Sequence, residues 1–123
     1  MKITAVLLVE EIEKSLPFWV DRMGFAKSVE VPEGNRLGFV ILARDGVELM
    51  LQTIESVRKD APQLLPKAGA QASLFIEVDD FADTVRRLDG YSIALPERTT
   101  FYGMREIGIL EPNGHNVIFA ART

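Results

Sequence analysis

The order of elements in this chain occurs twice, and that repetition limits the folds open to it. ITAVLLV, residues 3–9, has the apolar character of a strand. EIEKSLPFWVDRMG, residues 11–24, carries Ile12, Leu16, Trp19 and Met23 at helical spacing and stops at Gly24, with Pro17 loosening its first turns. FAKSVEV, RLGFVILA and VELMLQTI then read as strands, with turns at Pro32-Glu33-Gly34 and Arg44-Asp45-Gly46. After a polar linker with room for one short helical turn, the order returns. SLFIEVD is a strand, FADTVRRLDG a short helix, and YSIAL, MREIGIL and NVIFAAR are three more strands, the last two joined by Pro112-Asn113-Gly114.

Two anchors superpose the halves: Val9-Glu10-Glu11-Ile12 on Val78-Asp79-Asp80-Phe81, and Asp45-Gly46 on Asn113-Gly114. Thr4 then corresponds to Ser73, and Met50 to Ile118. The pattern predicts one α+β domain over residues 1–123, made of two βαβββ modules: module 1 at 1–53, a linker at 54–70 and module 2 at 71–123. Duplication of a unit that cannot bury its sheet alone accounts for it. A single α+β domain with accidental symmetry is the alternative.

Strand alternation sorts the side chains onto two faces. Ala5, Leu7, Val9, Leu49, Leu51, Leu74, Ile76, Val78, Val117 and Phe119 form a wholly apolar set, so that face carries the helices. Leu7, Leu49, Leu51, Ile76, Val117 and Phe119 are expected to be buried there. The opposite set is mixed: Thr4, Val6, Leu8, Glu48, Met50, Gln52, Ser73, Phe75, Glu77, Asn116, Ile118 and Ala120. Two carboxylates do not suit a core, because burying an unpaired charge is costly. Met50, Phe75 and Ile118 do not suit a plain solvated face. An apolar cleft with a few polar groups does suit a small-molecule pocket; a half-covered subunit interface reads the same way.

Composition narrows the partners. The net charge is −4 and the pI near 5.0, with no basic run, which argues against nucleic acid and leaves room for a cationic ligand. There is no cysteine, so disulfides, thiolate catalysis and Cys-based zinc sites are excluded. No apolar stretch approaches a membrane span, and AVLLV is followed at once by Glu10, Glu11 and Glu13, so the expected location is the cytoplasm.

The stretches VEEIEKSLPFWVDRMGF, DGVELMLQ, FIEVDDFAD and YGMREIGILEPNGHNVIFA together resemble the vicinal oxygen chelate superfamily, which includes glyoxalase I, fosfomycin-resistance enzymes, extradiol dioxygenases and bleomycin-resistance proteins. The resemblance spans the chain and implies a curved mixed sheet with helices on its outer face. In metal-dependent members it also implies four central strand positions that supply His or Glu ligands. Those positions here are Thr4, Met50, Ser73 and Ile118, and they do not suit a divalent ion, so no metal and no cofactor is expected. The only histidine, His115, follows the turn glycine and reads as the exposed start of a strand.

The metal-free bleomycin-resistance members, which the chain resembles, sequester a drug in clefts formed between modules of two chains. By that resemblance the chain is a homodimer binding a cationic or aromatic small molecule, an antibiotic or a metabolite. Val6, Leu8, Met50, Phe75 and Ile118 would supply apolar contact, with Gln52 among them. Phe101 and Tyr102, in the loop PERTTFYG, would stack, and Glu48 and Glu77 would meet a cationic group. Trp19 reads as core on its helical face. The other functional reading is a metal-independent lyase or isomerase with Glu48 or Glu77 as general base, since an apolar surround raises a carboxyl pKa toward neutrality. No partnered nucleophile, phosphate loop or cofactor motif marks a reaction. A structural role without a ligand ranks third.

Overall fold

The computed structural model describes residues 1–69 and 71–123 and divides into two units, Met1–Ala70 and Gln71–Thr123. Both have the βαβββ order expected from the sequence, and the fold is α+β.

In the first unit, β1 (Ala5–Val9) leads to α1 (Ile12–Leu16), followed by β2 (Ala26–Glu33), β3 (Arg36–Arg44) and β4 (Val47–Thr53). The sheet order is β1-β4-β3-β2, with β1 parallel to β4 and the other pairs antiparallel. Pro17 brings no N–H to the helical ladder, and from Pro17 to Arg22 the helix widens to π geometry. The Met23 N–H accordingly reaches back five residues to the Phe18 carbonyl at 2.9 Å. The wider turn places both Phe18 and Trp19 in the core, fully buried, with Trp19 edge-on to Phe18 at 5.0 Å and to Phe25 at 5.4 Å. Leu7, Val9, Val40, Leu42, Leu49 and Leu51 complete that core from the sheet side. Burial of each large side chain is worth roughly 1.5–3 kcal/mol, so a one-residue strand slip, which would turn them all outward, is strongly disfavoured.

The segment after β4 is more ordered than a linker with one short turn. Thr53 caps α2 (Ile54–Asp60), its hydroxyl accepting from the Ser56 N–H at 3.1 Å, and Val57 is buried beneath it. Lys59 reaches Glu33 at 2.9 Å and Glu55 at 3.4 Å, while Arg36 reaches Glu55 at 3.3 Å, tying α2 to the β2–β3 hairpin. Lys59 and Arg36 hold the Glu55 carboxyl below its usual 4.5, and Glu33 with Glu55 hold Lys59 above its usual 10.5. The tie is therefore complete between those values; it is lost as pH falls through the depressed Glu55 pKa or rises through the elevated Lys59 pKa. Being exposed, it is also screened by salt.

The second unit has β5 (Leu74–Glu77), α3 (Phe81–Arg87), β6 (Ser92–Thr99), β7 (Met104–Leu110) and β8 (Asn116–Arg122), in the order β5-β8-β7-β6. Asp80 caps α3 through the Asp83 N–H at 3.0 Å. Leu88, Ile107, Ile109, Val117 and Phe119 are buried on the helix side. Of the six residues expected to be buried, Ile76 alone is only half-buried, because β5 is four residues long and has a partner on one side only. β6 is longer than YSIAL: Pro96–Thr99 belong to the strand, and the turn contracts to residues 100–103. A proline is tolerated there because β6 is an edge strand with shifted register on both sides of Leu95. β2, the matching edge, likewise carries Pro32 at a register shift, which discourages pairing with other chains. At the β7–β8 turn, buried Glu111 accepts from the backbone N–H groups of Asn113 at 2.7 Å and His115 at 3.2 Å, so the half-buried histidine serves the turn through its backbone.

The shift beside Leu95 lays its side chain across Gly108: a Cβ at position 108 would meet Leu95 Cβ at 2.9 Å and Ile118 Cγ1 at 3.6 Å. Gly108→Ala is expected to destabilise the chain by about 1–3 kcal/mol, the usual cost of overpacking. Urea unfolding followed by far-ultraviolet circular dichroism, which reports both units, measures it, and a transition identical to that of the parent chain would refute the close approach.

Candidate functional site

The face of each sheet away from its helices is set by strand register. In the first unit two rows cross the four strands: Val6–Met50–Ile41–Val29 and Leu8–Gln52–Phe39–Val31. Val6, Val29 and Val31 are exposed and the others half-buried. Only Gln52 in these rows is polar, and its amide donates to Ser56 Oγ at 3.1 Å. The structure thus brings Val6, Leu8, Met50 and Gln52 together as the alternation implied. It adds Phe39, Ile41, Val29 and Val31, which β1 and β4 alone did not reveal. Glu48 lies at the end of this face, in an ion pair with Lys2.

The second unit has the same two rows with different chemistry. Phe75–Ile118–Gly108–Leu95 is an apolar shelf, and Glu77–Ala120–Glu106–Arg98 is a polar one. Glu106 is 2% exposed, although it is a carboxylate on a sheet face away from the helices. Arg98 Nε donates to its Oε1 at 2.8 Å, with Nη2 2.7 Å from the same oxygen, and the Tyr102 hydroxyl donates to Oε2 at 3.4 Å. A charge this buried is tolerable only with such partners. Sequence reading missed the Arg98–Glu106 pair. The alternation of MREIGIL does put Glu106 on this face, but the irregular register of β6 hides its partner.

The remaining site candidates separate. Glu77 is exposed and has no partner among the described residues, whereas the carboxylate of Glu48 is taken up by Lys2. Phe101 and Tyr102 lie in the turn at 100–103, edge to face at 5.0 Å; Tyr102 reaches the polar row through its hydroxyl, while Phe101 is fully exposed. Trp19 is core. On the helix side of the second unit, a groove of about 590 Å³ lies between α3 and β6, floored by Leu88, Ile93 and Ile107. It brings together none of these candidates.

Thr4, Met50, Ser73 and Ile118 offer two hydroxyls, a thioether and an alkyl group, a poor donor set for a hard divalent ion. Among the described residues no three His, Cys, Asp or Glu side chains gather to hold a metal. No helix of the described residues is long and apolar enough to cross a membrane.

Residues 3–119 match the family described as Glyoxalase/Bleomycin resistance protein/Dioxygenase superfamily. The chain belongs to that superfamily. No curated protein sequence matches it. Among solved structures it is similar to TioX from Micromonospora sp. ML1, with TM-score 0.79 and 17% identity over 100% of this chain and 99% of that one. It is also similar to lactoylglutathione lyase from Agrobacterium tumefaciens, with TM-score 0.76 and 16% identity over 98% and 92%. A superfamily member from Sphaerobacter thermophilus DSM 20745 gives TM-score 0.74 and 20% identity over 99% and 97%. At these identities the likeness establishes the fold, and activity has to be argued from the side chains.

The two halves of the Arg98–Glu106 pair are unequal. Arg98→Ala strands a buried carboxylate and is expected to cost about 3–5 kcal/mol, whereas Glu106→Gln leaves a guanidinium that is already 57% exposed and is expected to cost less. Thermal melts of the two variants check the order, and equal losses would mean that Glu106 is wetter than its burial indicates. Met50→Glu sets an unpaired carboxylate between Val6 and Ile41 and is expected to lower the melting temperature by several degrees.

Proposed function

We propose that this chain is a metal-independent small-molecule-binding protein that sequesters an antibiotic or a metabolite and works as a homodimer. The observation that carries the reading is the row Val6–Met50–Ile41–Val29, an apolar sheet face turned away from its own helices at the position where metal-dependent relatives need a carboxylate or imidazole. An apolar surface with few polar groups favours an aromatic or otherwise apolar ligand body. In the second unit a cationic substituent would be met by Glu77 beside Phe75, whereas the first unit's Glu48 is occupied by Lys2. Exposed Val6, Val29 and Val31 on the first unit's face, and Phe75 on the second unit's own face, each favour a second copy that covers part of that face.

The test is a set of aromatic compounds titrated into the isotopically labelled protein, read by amide shifts. Saturable shifts at Val6, Met50, Phe75 and Ile118 are expected, unchanged after EDTA treatment. Light scattering at micromolar concentration should give twice the monomer mass. Shifts confined to the groove of α3 and β6, or metal retained at one equivalent per chain, would defeat the proposal.

The unpartnered carboxylate of Glu77 beside Phe75 supports a second reading, a metal-independent lyase or isomerase with Glu77 as general base. It requires Glu77→Gln to abolish turnover while leaving ligand binding intact. Binding without turnover in both proteins would leave sequestration.

A further inference from the structure

We infer that the Arg98–Glu106 pair is a recognition point for an anionic oxygen group, so that the ligand is an amphipathic carboxylic acid. This rests on the reading that the face away from the helices binds small molecules, and it names the ligand's polar end.

The two units provide an internal comparison. In the first unit the row equivalent to Glu77–Ala120–Glu106–Arg98 is Leu8–Gln52–Phe39–Val31. Where one unit places Phe39 and Val31 side by side, the other places a buried carboxylate and a guanidinium. The sheet folds with the apolar pair, so the ionic pair is not a requirement of the architecture. It also costs desolvation that phenylalanine and valine avoid.

The geometry shows what the pair presents. Glu106 Oε1 lies 2.8 Å from Arg98 Nε and 2.7 Å from Nη2, which fixes the plane of the guanidinium. Nη1 is left without a partner among the described residues, on a side chain that is 57% exposed. The register shift between Leu95 and Arg98 aims the side chain over this face, as bulges commonly do beside binding sites. A guanidinium held by one edge offers N–H donors suited to a carboxylate at little further entropic cost. Beside it, Leu95, Gly108, Ile118 and Phe75 form the adjacent apolar row, in which the Leu95 side chain covers buried Gly108. A planar apolar body lying on that row has its acidic end at Arg98. Glu77, at the far end of the polar row, disfavours a second anionic group there.

The experiment compares 2-naphthoate with its neutral isostere 2-naphthamide in low-salt buffer, by calorimetry and by amide shifts on the full chain. The parent protein is expected to bind the acid about tenfold more tightly, as one charge-assisted hydrogen-bonded contact supplies. R98V/E106F, which installs the residues of the first unit, should bind both compounds equally. R98Q/E106Q, uncharged but still hydrogen-bonding, should do the same and serves if the first variant does not fold. Equal binding of acid and amide by the parent chain, or an acid preference that survives in a folded double variant, would overturn the inference while leaving the binding face intact. Absence of binding by both compounds would count against the binding face itself, and the inference would fall with it.

Discussion

Parallel pairing of the first strand with the last in each unit is the constraint on which the rest of the structure depends. In β1 and β4 the register Leu7 to Leu51 and Val6 to Met50 decides which side chains share a face, and in β5 and β8 Ile76 to Phe119 and Phe75 to Ile118 repeat it. A parallel pair cannot be closed by a hairpin, so the intervening chain must cross over, here through a helix and two further strands. The helix covers the apolar face, and the other face carries the mixed set of side chains. A slip by one residue would exchange the faces, so the burial of Leu7, Leu51 and Phe119 also holds Met50 and Ile118 where they are.

The duplication gives one frame two surfaces. Position by position, the first unit presents Leu8, Phe39 and Val31 where the second presents Glu77, Glu106 and Arg98. The first surface attracts apolar matter without regard to orientation, because hydrophobic burial is non-directional. The second would orient a partner, because a guanidinium fixed on a buried carboxylate meets partners only from limited directions. For the metal-independent binding role proposed above, specificity would have to come from groups of the second kind.

How much of this could be read from the sequence depended on whether the cause was local. Alternation in AVLLV, VELML and NVIFA sorted the faces of β1, β4 and β8 correctly, since each strand keeps its period of two without interruption. Edge strands were less legible: Pro32 and Pro96 read as turn residues, yet both lie within strands whose partners lie on one side only. Helix α2 was underestimated because its order comes from the Thr53 cap and from ion pairs with Glu33 and Arg36, residues distant in sequence. The general-base role considered for Glu48 depended on a free carboxylate, and its ion pair with Lys2, 46 residues away, could not be foreseen.

The Arg98–Glu106 pair shows why a side-chain pairing can be hidden when its fold is not. Glu106 lies in MREIGIL, between Arg105 and Ile107, and its parity with Gly108 and Leu110 is plain. What makes it a buried ion and not a solvated strand residue is the partner, and the partner is selected by two register shifts in β6 that move Arg98 opposite it. A regular strand would set Arg98 one or two places from Glu106 and leave the carboxylate uncompensated, at a cost that would favour an apolar residue. The irregular strand and the charged pair therefore sustain each other: the shifts bring Arg98 to Glu106, and the ion pair stabilises the shifts against reversion to regular pairing.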